Sequence, residues 1–137
     1  MDVFVADANV FLRFLINDVP EQANKAAELL RRAKSKEIKV IVPQIVIFEI
    51  QFALEKFYKF PKEQIVDKIG PILSSPYIEI QDTRTFQDAL VFYSNKQSFS
   101  SNKNLDFVDC FLLCSLQNKN AKLFTFDQKL RKLSEAF

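Results

Sequence analysis

The chain has 137 residues, 48% of them hydrophobic and 26% charged, with a formal net charge of +2. This size and balance predict one soluble globular domain, and they argue against a disordered chain or several domains. No apolar run approaches the roughly 18 residues that a membrane-spanning helix needs. The amino-terminal segment has an acid at position 2 and no basic stretch, so we expect no secretion signal and a cytoplasmic protein.

Predicted strands and helices alternate along the chain. Short apolar runs predict strands at residues 3–6, 39–42, 77–80 and 122–126. Longer segments of helical periodicity or length predict helices at residues 8–16, 20–36, 44–58, 61–73, 85–96, 106–119 and 127–136. A polar loop is predicted at residues 97–104. The alternation predicts an α/β fold, with residues 1–137 as a single domain, a central parallel sheet of four to five strands, and helices on both faces.

The residues that the chain lacks restrict its chemistry. It contains no histidine, which excludes Ser-His-Asp and Cys-His catalysis, and its one glycine, Gly70, excludes glycine-rich phosphate-binding loops. Its two cysteines, Cys110 and Cys114, lie in an apolar segment and are expected as buried thiols. Any catalysis must then depend on carboxylates, which commonly act through a hard cation such as Mg²⁺.

Two aspartates follow predicted strands directly. Asp7 comes after the strand at 3–6, and Asp127 comes after the strand at 122–126. Each is well placed to cap the helix that follows, and this role alone would explain either residue. Because parallel strands end at the same edge of a sheet, the two carboxylates are also expected at one ligand-binding edge.

Glu49 interrupts an apolar part of its predicted helix. Gln44, Gln51 and Glu55 share one side of the helix, and Glu49 lies about 140° from Gln44, among apolar residues that include Ile45 and Phe52. An exposed surface role fits this position poorly, so we expect Glu49 to be protonated, paired across the fold or bound to a cation, with the cation favoured.

Asp106 and Asp109 begin the helix at 106–119, which is apolar nearly all round. Asp106 is predicted to cap this helix, and Asp109 is either its partner in a capping box or a site residue in apolar surroundings. Basic residues also cluster at 31–39 and 119–132, and each cluster alone is best explained as a solvated helix face.

Taken in order, these motifs resemble the PIN-domain ribonucleases, and most closely the VapC-type toxins of bacterial type II toxin–antitoxin systems. They are the strand followed by Asp7, Asn9 and Arg13, the stretch Asn17-Asp18-x-Pro-Glu-Gln22, Glu49, Asp106-Phe-x-Asp109, and Thr125-Phe-Asp127. The likeness spans essentially the whole chain. It departs from many relatives at Ala8, where they carry Thr, and the Asp106–Asp109 pair leaves open which residue is the third acid.

The resemblance implies a Mg²⁺- or Mn²⁺-dependent endoribonuclease that forms a homodimer and is bound by a VapB-type antitoxin. Asp7, Glu49, Asp109 and Asp127 would be the catalytic, metal-binding acids, with Asn9, Thr125, Arg13 and Asp106 in support. Of the many phenylalanines, Phe11, Phe14, Phe52 and Phe57 are candidates for a dimer or antitoxin surface, although each one singly is better explained as core. The alternative is a catalytically silent PIN-fold module that binds a partner or RNA.

Overall fold

A computed structural model describes residues 1–95 and 105–137. Lys96, the last residue of the helix predicted at 85–96, and the loop predicted at 97–104 lie outside the described residues. The described chain forms two compact units, Met1–Gln81 and Asp82–Phe137. That residues 1–137 make a single domain stays a prediction.

The first unit is an α/β unit whose elements lie close to their predicted positions. Its strands are β1 (Asp2–Val5), β2 (Ile38–Val42) and β3 (Ile78–Ile80). Its α-helices are α1 (Ala8–Ile16), α2 (Pro20–Lys34), α3 (Gln44–Phe52) and α4 (Lys62–Leu73). The helix predicted at 44–58 changes character after α3, because Ala53–Phe57 forms a π-helical turn.

The three strands are parallel and lie in the order β1-β2-β3. Val40 at the centre of β2 pairs with Phe4 on one side and with Ile78 on the other, and Val40 is fully buried. Val3 and Val5 of β1 alternate with Phe4 and so point to the other face of the sheet, and both are exposed. Helices over both faces of the sheet therefore stay a prediction.

The prediction of a fourth strand at 122–126 is wrong for this structure, since the described residues form a sheet of three strands rather than four to five. Phe124 and Phe126 are 84% and 92% exposed. Instead of pairing with a strand, the segment turns toward the last helix, and the Thr125 hydroxyl accepts the backbone N–H of Asp127 at 3.1 Å. An apolar run forms a strand only where a neighbouring strand receives its N–H and C=O groups, and the described residues of the second unit contain only helices.

The described residues of the second unit form α5 (Thr83–Ser94), α6 (Phe107–Lys119) and α7 (Gln128–Ser134). Aromatic rings join α5 to α6, with the Phe86 ring centroid 4.6 Å from that of Phe111 and 6.2 Å from that of Phe107. No helix within residues 1–95 or 105–137 is long and apolar enough to cross a membrane.

The two cysteines of α6 are buried thiols that form no disulfide, as predicted. Burial, together with the nearby charge of Asp88, raises the pKa of the Cys114 thiol to about 11. Cys114 therefore stays protonated at neutral pH, and both cysteines belong to the apolar packing of the second unit.

Helix α2 ends in a left-handed turn at Lys36, whose φ is 63°. The N–H of Lys36 donates to the carbonyl of Ala33, and the N–H of Glu37 donates to the carbonyl of Arg32, both at 3.0 Å. These two bonds define a Schellman motif, in which the left-handed residue is usually glycine because a Cβ atom is unfavourable there.

We therefore predict that Lys36→Gly stabilises the protein by about 1 kcal/mol, since it removes the steric cost of a left-handed residue with a Cβ atom. Lys34→Gly, two positions earlier at the last residue of α2, should instead lower the free energy of unfolding, by up to about 1 kcal/mol. Urea denaturation of the two variants and the wild type measures both changes. A Lys36→Gly variant less stable than the wild type would show that this turn is not left-handed.

Candidate active site

Asp7 connects the end of β1 to the start of α1. The N–H of Ala6 still donates to the carbonyl of Ile41 on β2, at 3.0 Å, so the sheet holds the chain up to the residue before Asp7. Asp7 then caps α1, and its Oδ1 accepts the N–H of Val10 at 3.2 Å. The side chain is exposed, and its Oδ2 is engaged in no hydrogen bond within the described residues.

Glu49 lies on α3, which packs against α1 in the first unit. It is exposed, and its neighbours Ile45 and Phe52 are 61% and 62% exposed, so the expectation that an exposed position fits Glu49 poorly is wrong. Gln51, expected on the polar side, is buried and donates to Glu55 Oε2 at 2.9 Å. Helix α3 is apolar nearly all round, and the sequence alone does not indicate which apolar side packs inward.

Asp106 and Asp109 form the predicted capping box at the start of α6. Asp106 Oδ1 accepts the N–H of Asp109 at 2.8 Å, and the Asp109 carboxylate accepts the N–H of Asp106. The N-cap role of Asp106 is thereby confirmed. Asp109 does belong to the capping box, which the sequence left open.

Asp109 has a raised pKa. Partial burial is the largest cause, and the negative charges of Asp106 and Asp127 raise the pKa further. Asp106 and Asp127 are thus each near enough to Asp109 for their charges to disfavour its ionised form. Charge of one sign accumulates here, and a bound cation would balance it.

Asp127 caps α7 and is itself supported by the turn before it. Its Oδ1 accepts the N–H of Leu130 at 3.1 Å, while its own N–H donates to the Thr125 hydroxyl. Thr125 therefore fixes the backbone of Asp127 rather than its carboxylate. Like Asp7, Asp127 uses one carboxylate oxygen as a helix cap, and a role of the other oxygen in binding a ligand stays a prediction.

Arg13 forms a network within the first unit and contacts neither Asp7 nor Glu49. Its guanidinium donates to Gln22 Oε1 at 2.8 Å, to both oxygens of Asp18 at 3.3 Å and to the Tyr58 hydroxyl at 3.5 Å. The sequence stretch that contains Asp18 and Gln22 therefore holds the end of α1 to the start of α2.

Tyr58 was missed by the sequence argument. It lies 45 residues from Arg13, and no local pattern marks so distant a contact. Asn9 is exposed in the first turn of α1, and its hydrogen bonding to the site stays a prediction.

The carboxylates fit Mg²⁺ or Mn²⁺ in chemistry, because these hard cations prefer oxygen ligands. The raised pKa of Asp109, which burial and then the charges of Asp106 and Asp127 cause, is also what a bound cation would lower. Within residues 1–95 and 105–137, no group of three or more Cys, Asp or Glu side chains is arranged to hold a metal ion. The first unit supplies Asp7 and Glu49, and the second supplies Asp109 and Asp127. Their assembly into one site stays a prediction.

Two comparisons with known proteins relate nearly the whole chain to the same family. The family model of the PIN domain matches residues 4–136. The chain is 25% identical, over 128 residues, to the VapC ribonuclease of Aquifex aeolicus (strain VF5), an alignment that covers 93% of this chain and 89% of that protein. The resemblance found in the sequence motifs is thereby confirmed. The chain belongs to the PIN domain family.

Proposed function

We propose that this protein is a Mg²⁺- or Mn²⁺-dependent endoribonuclease and the toxin of a type II toxin–antitoxin pair, acting in the cytoplasm. The observation that carries the proposal is the raised pKa of Asp109, which burial and then the charges of Asp106 and Asp127 produce, at a helix start in a histidine-free chain of this family. The similarity to a VapC ribonuclease supports RNA as the substrate.

Asp7, Glu49, Asp109 and Asp127 are the proposed ligands of the cation. When bound, the cation lowers the pKa of a water molecule and neutralises charge on the phosphate that is attacked. Asp7 and Asp127 suit this role because each side chain is fixed by a helix N-terminus through one oxygen, which sets the direction of the other. Glu49 suits it because its carboxylate is exposed.

The supporting residues act on the backbone or on neighbouring acids. Asp106 holds the first turn of α6 and contributes negative charge beside Asp109. Thr125 fixes the backbone N–H of Asp127, and Arg13 holds the end of α1 to the start of α2. Asn9, in the first turn of α1, is proposed to bind substrate or an acid through its amide.

A homodimer is proposed through the apolar side of α3 and the π-helical turn. Ile45, Phe52 and Phe57 are all more than half exposed, and such a patch on one element is typical of a contact surface. Phe11, in contrast, is fully buried and belongs to the core.

A VapB-like antitoxin is proposed as the second partner. A groove of about 490 Å³ in the first unit is lined by apolar residues that include Phe14, Leu15 and Ile72, and by three basic residues, Arg31, Lys34 and Lys68, against one acid, Asp67. Apolar side chains on a helix with acidic flanks would complement both features. We propose such an antitoxin segment as the occupant of this groove.

The first test of this function is RNA cleavage. Purified protein should cleave RNA with Mg²⁺ or Mn²⁺ and stop in EDTA. Asp7→Asn should lower the rate by about two orders of magnitude or more, roughly the loss expected when one charge-stabilising group is removed. Asparagine caps helices as well as aspartate does, so the fold should remain intact.

Asp67→Asn is the matched control for this cleavage test, because it removes an exposed acid of α4 outside the proposed site and should leave the rate unchanged. RNA cleavage that persists in EDTA would contradict the metal mechanism. RNA binding without cleavage at any metal concentration would instead favour the catalytically silent module.

The second test uses the raised pKa of Asp109. An acid whose folded pKa lies above its unfolded value of about 4 stabilises the fold below that unfolded pKa, and this contribution is lost as the pH rises through the folded pKa. Without metal, Asp109→Asn should therefore raise the melting temperature at neutral pH, with little change near pH 4. Thermal melts across this range measure the effect.

Mn²⁺ provides the second arm of the same melts. It should stabilise the wild type by about 2.7 kcal/mol at a hundredfold excess over its dissociation constant, and Asp109→Asn much less. Asp67→Asn should respond to Mn²⁺ as the wild type does. Two results together would contradict the proposed role of Asp109 as a metal ligand. Mn²⁺ would raise the melting temperature of all three proteins equally, and Asp109→Asn would melt below the wild type without metal.

The third test concerns the dimer. Phe52→Ser should weaken self-association about tenfold or more, as expected for a central aromatic contact. Val91→Ser, at an equally exposed position of the second unit, should leave association unchanged. Light scattering over a micromolar dilution series measures both variants. A wild type that is monomeric throughout this series would exclude the proposed contact.

A further inference from the structure

A second cleft of the first unit lies away from Asp7. It has a volume of about 680 Å³ and is formed by the end of α2 and by the amino-terminal parts of β2 and β3. Met1 also lines it, whereas Asp7 follows the opposite end of β1. Six residues of extended chain span roughly 20 Å, so the cleft is distinct from the region of Asp7.

Lysines give the cleft a positive charge. Lys34, Lys36 and Lys39 line it, and the single acid in its lining is Glu79, whose Oε2 lies 3.1 Å from the Lys39 amine. No ion pair within residues 1–95 and 105–137 involves Lys34 or Lys36. Two cations are therefore available to an anionic ligand.

The nearest acid in sequence does not change this balance. Glu37 follows Lys36, but its carboxylate lies 3.3 Å from the Arg31 guanidinium and is outside the cleft lining. The backbone of Lys36 is in a left-handed conformation that glycine would adopt at lower cost. One of the lysines that line the cleft is thus at a strained backbone position.

The rest of the wall is apolar and includes an aromatic ring. Tyr77 is half-buried and lines the cleft together with Pro76 and the buried Ile38 and Val40. An aromatic ring beside lysines matches the two parts of a nucleotide, because a base stacks on the ring while the phosphates meet the amines.

We propose that this cleft binds a single-stranded segment of RNA away from Asp7, with Lys34 and Lys36 on phosphates and Tyr77 against a base. The choice of RNA rests on the proposed ribonuclease function. The cleft would then hold a part of the substrate that does not contact Asp7. This contact would add affinity without taking part in the chemistry.

The test compares two lysines that share one backbone conformation. Lys36 and Lys59 both have a positive φ, of 63° and 57°, but only Lys36 lines the cleft. Replacing either lysine by glycine removes one positive charge and removes the Cβ atom from a residue whose backbone is in the left-handed conformation. Neither replacement is expected to destabilise the fold, so lost binding would not reflect unfolding.

Binding of a fluorescently labelled single-stranded RNA is measured by anisotropy in EDTA, over a series of salt concentrations, with gels to check that the RNA stays intact. Lys36→Gly should reduce the salt slope of the affinity by about 0.7, which corresponds to about fivefold weaker binding at 0.1 M salt. Lys59→Gly should bind as the wild type does.

Tyr77 is tested in the same assay. Tyr77→Leu should weaken binding about fivefold or more through loss of stacking, whereas Tyr77→Phe keeps the ring and should bind normally. Equal weakening by both substitutions would overturn the stacking role.

The outcomes separate this proposal from the ribonuclease proposal. Suppose that the wild type cleaves RNA in the presence of Mn²⁺ and that Lys36→Gly binds RNA as the wild type does. This result would contradict RNA binding at the cleft but would leave the ribonuclease proposal intact. Selective loss of binding in Lys36→Gly without any cleavage by the wild type would support the cleft and overturn the ribonuclease. A wild type that binds no RNA at any salt concentration would overturn the cleft.

Discussion

The first backbone N–H groups of a helix have no partner inside the helix and must find acceptors elsewhere. In both units of this protein, aspartates meet that need: Asp7 for α1, Asp106 for α6 and Asp127 for α7. One carboxylate oxygen of each binds the helix end, which fixes the side chain and restricts where its other oxygen points. The capping requirement and the proposed chemistry therefore depend on the same residues.

Much of this arrangement could be predicted from the sequence because it is local. An acid directly after an apolar strand, with a helical pattern beyond it, predicts both the strand end and the cap, as at Asp7. The capping box of Asp106 and Asp109 depends on two residues three positions apart. The Schellman turn at Lys36 is equally local, but it was not predicted because its usual signal is a glycine.

Features that depend on distant residues could not be predicted in the same way. Which apolar side of α3 faces inward, and hence whether Glu49 is exposed, is decided by packing partners elsewhere in the chain. The segment 122–126 has the composition of a strand, but no neighbouring strand pairs with it in the described residues. The contact between Arg13 and Tyr58 likewise joins residues that share no local pattern.

Helix α6 begins with Asp109 in its first turn and contains the buried thiol of Cys114 just over one turn later. Because the pKa of this thiol is raised to about 11, the reactive thiolate is scarce at neutral pH, and burial keeps alkylating reagents away. Chemical modification of Cys114 must wait for α6 to open. The rate at which Cys114 is labelled in the intact protein therefore reports how often α6, the helix that bears Asp109, opens locally.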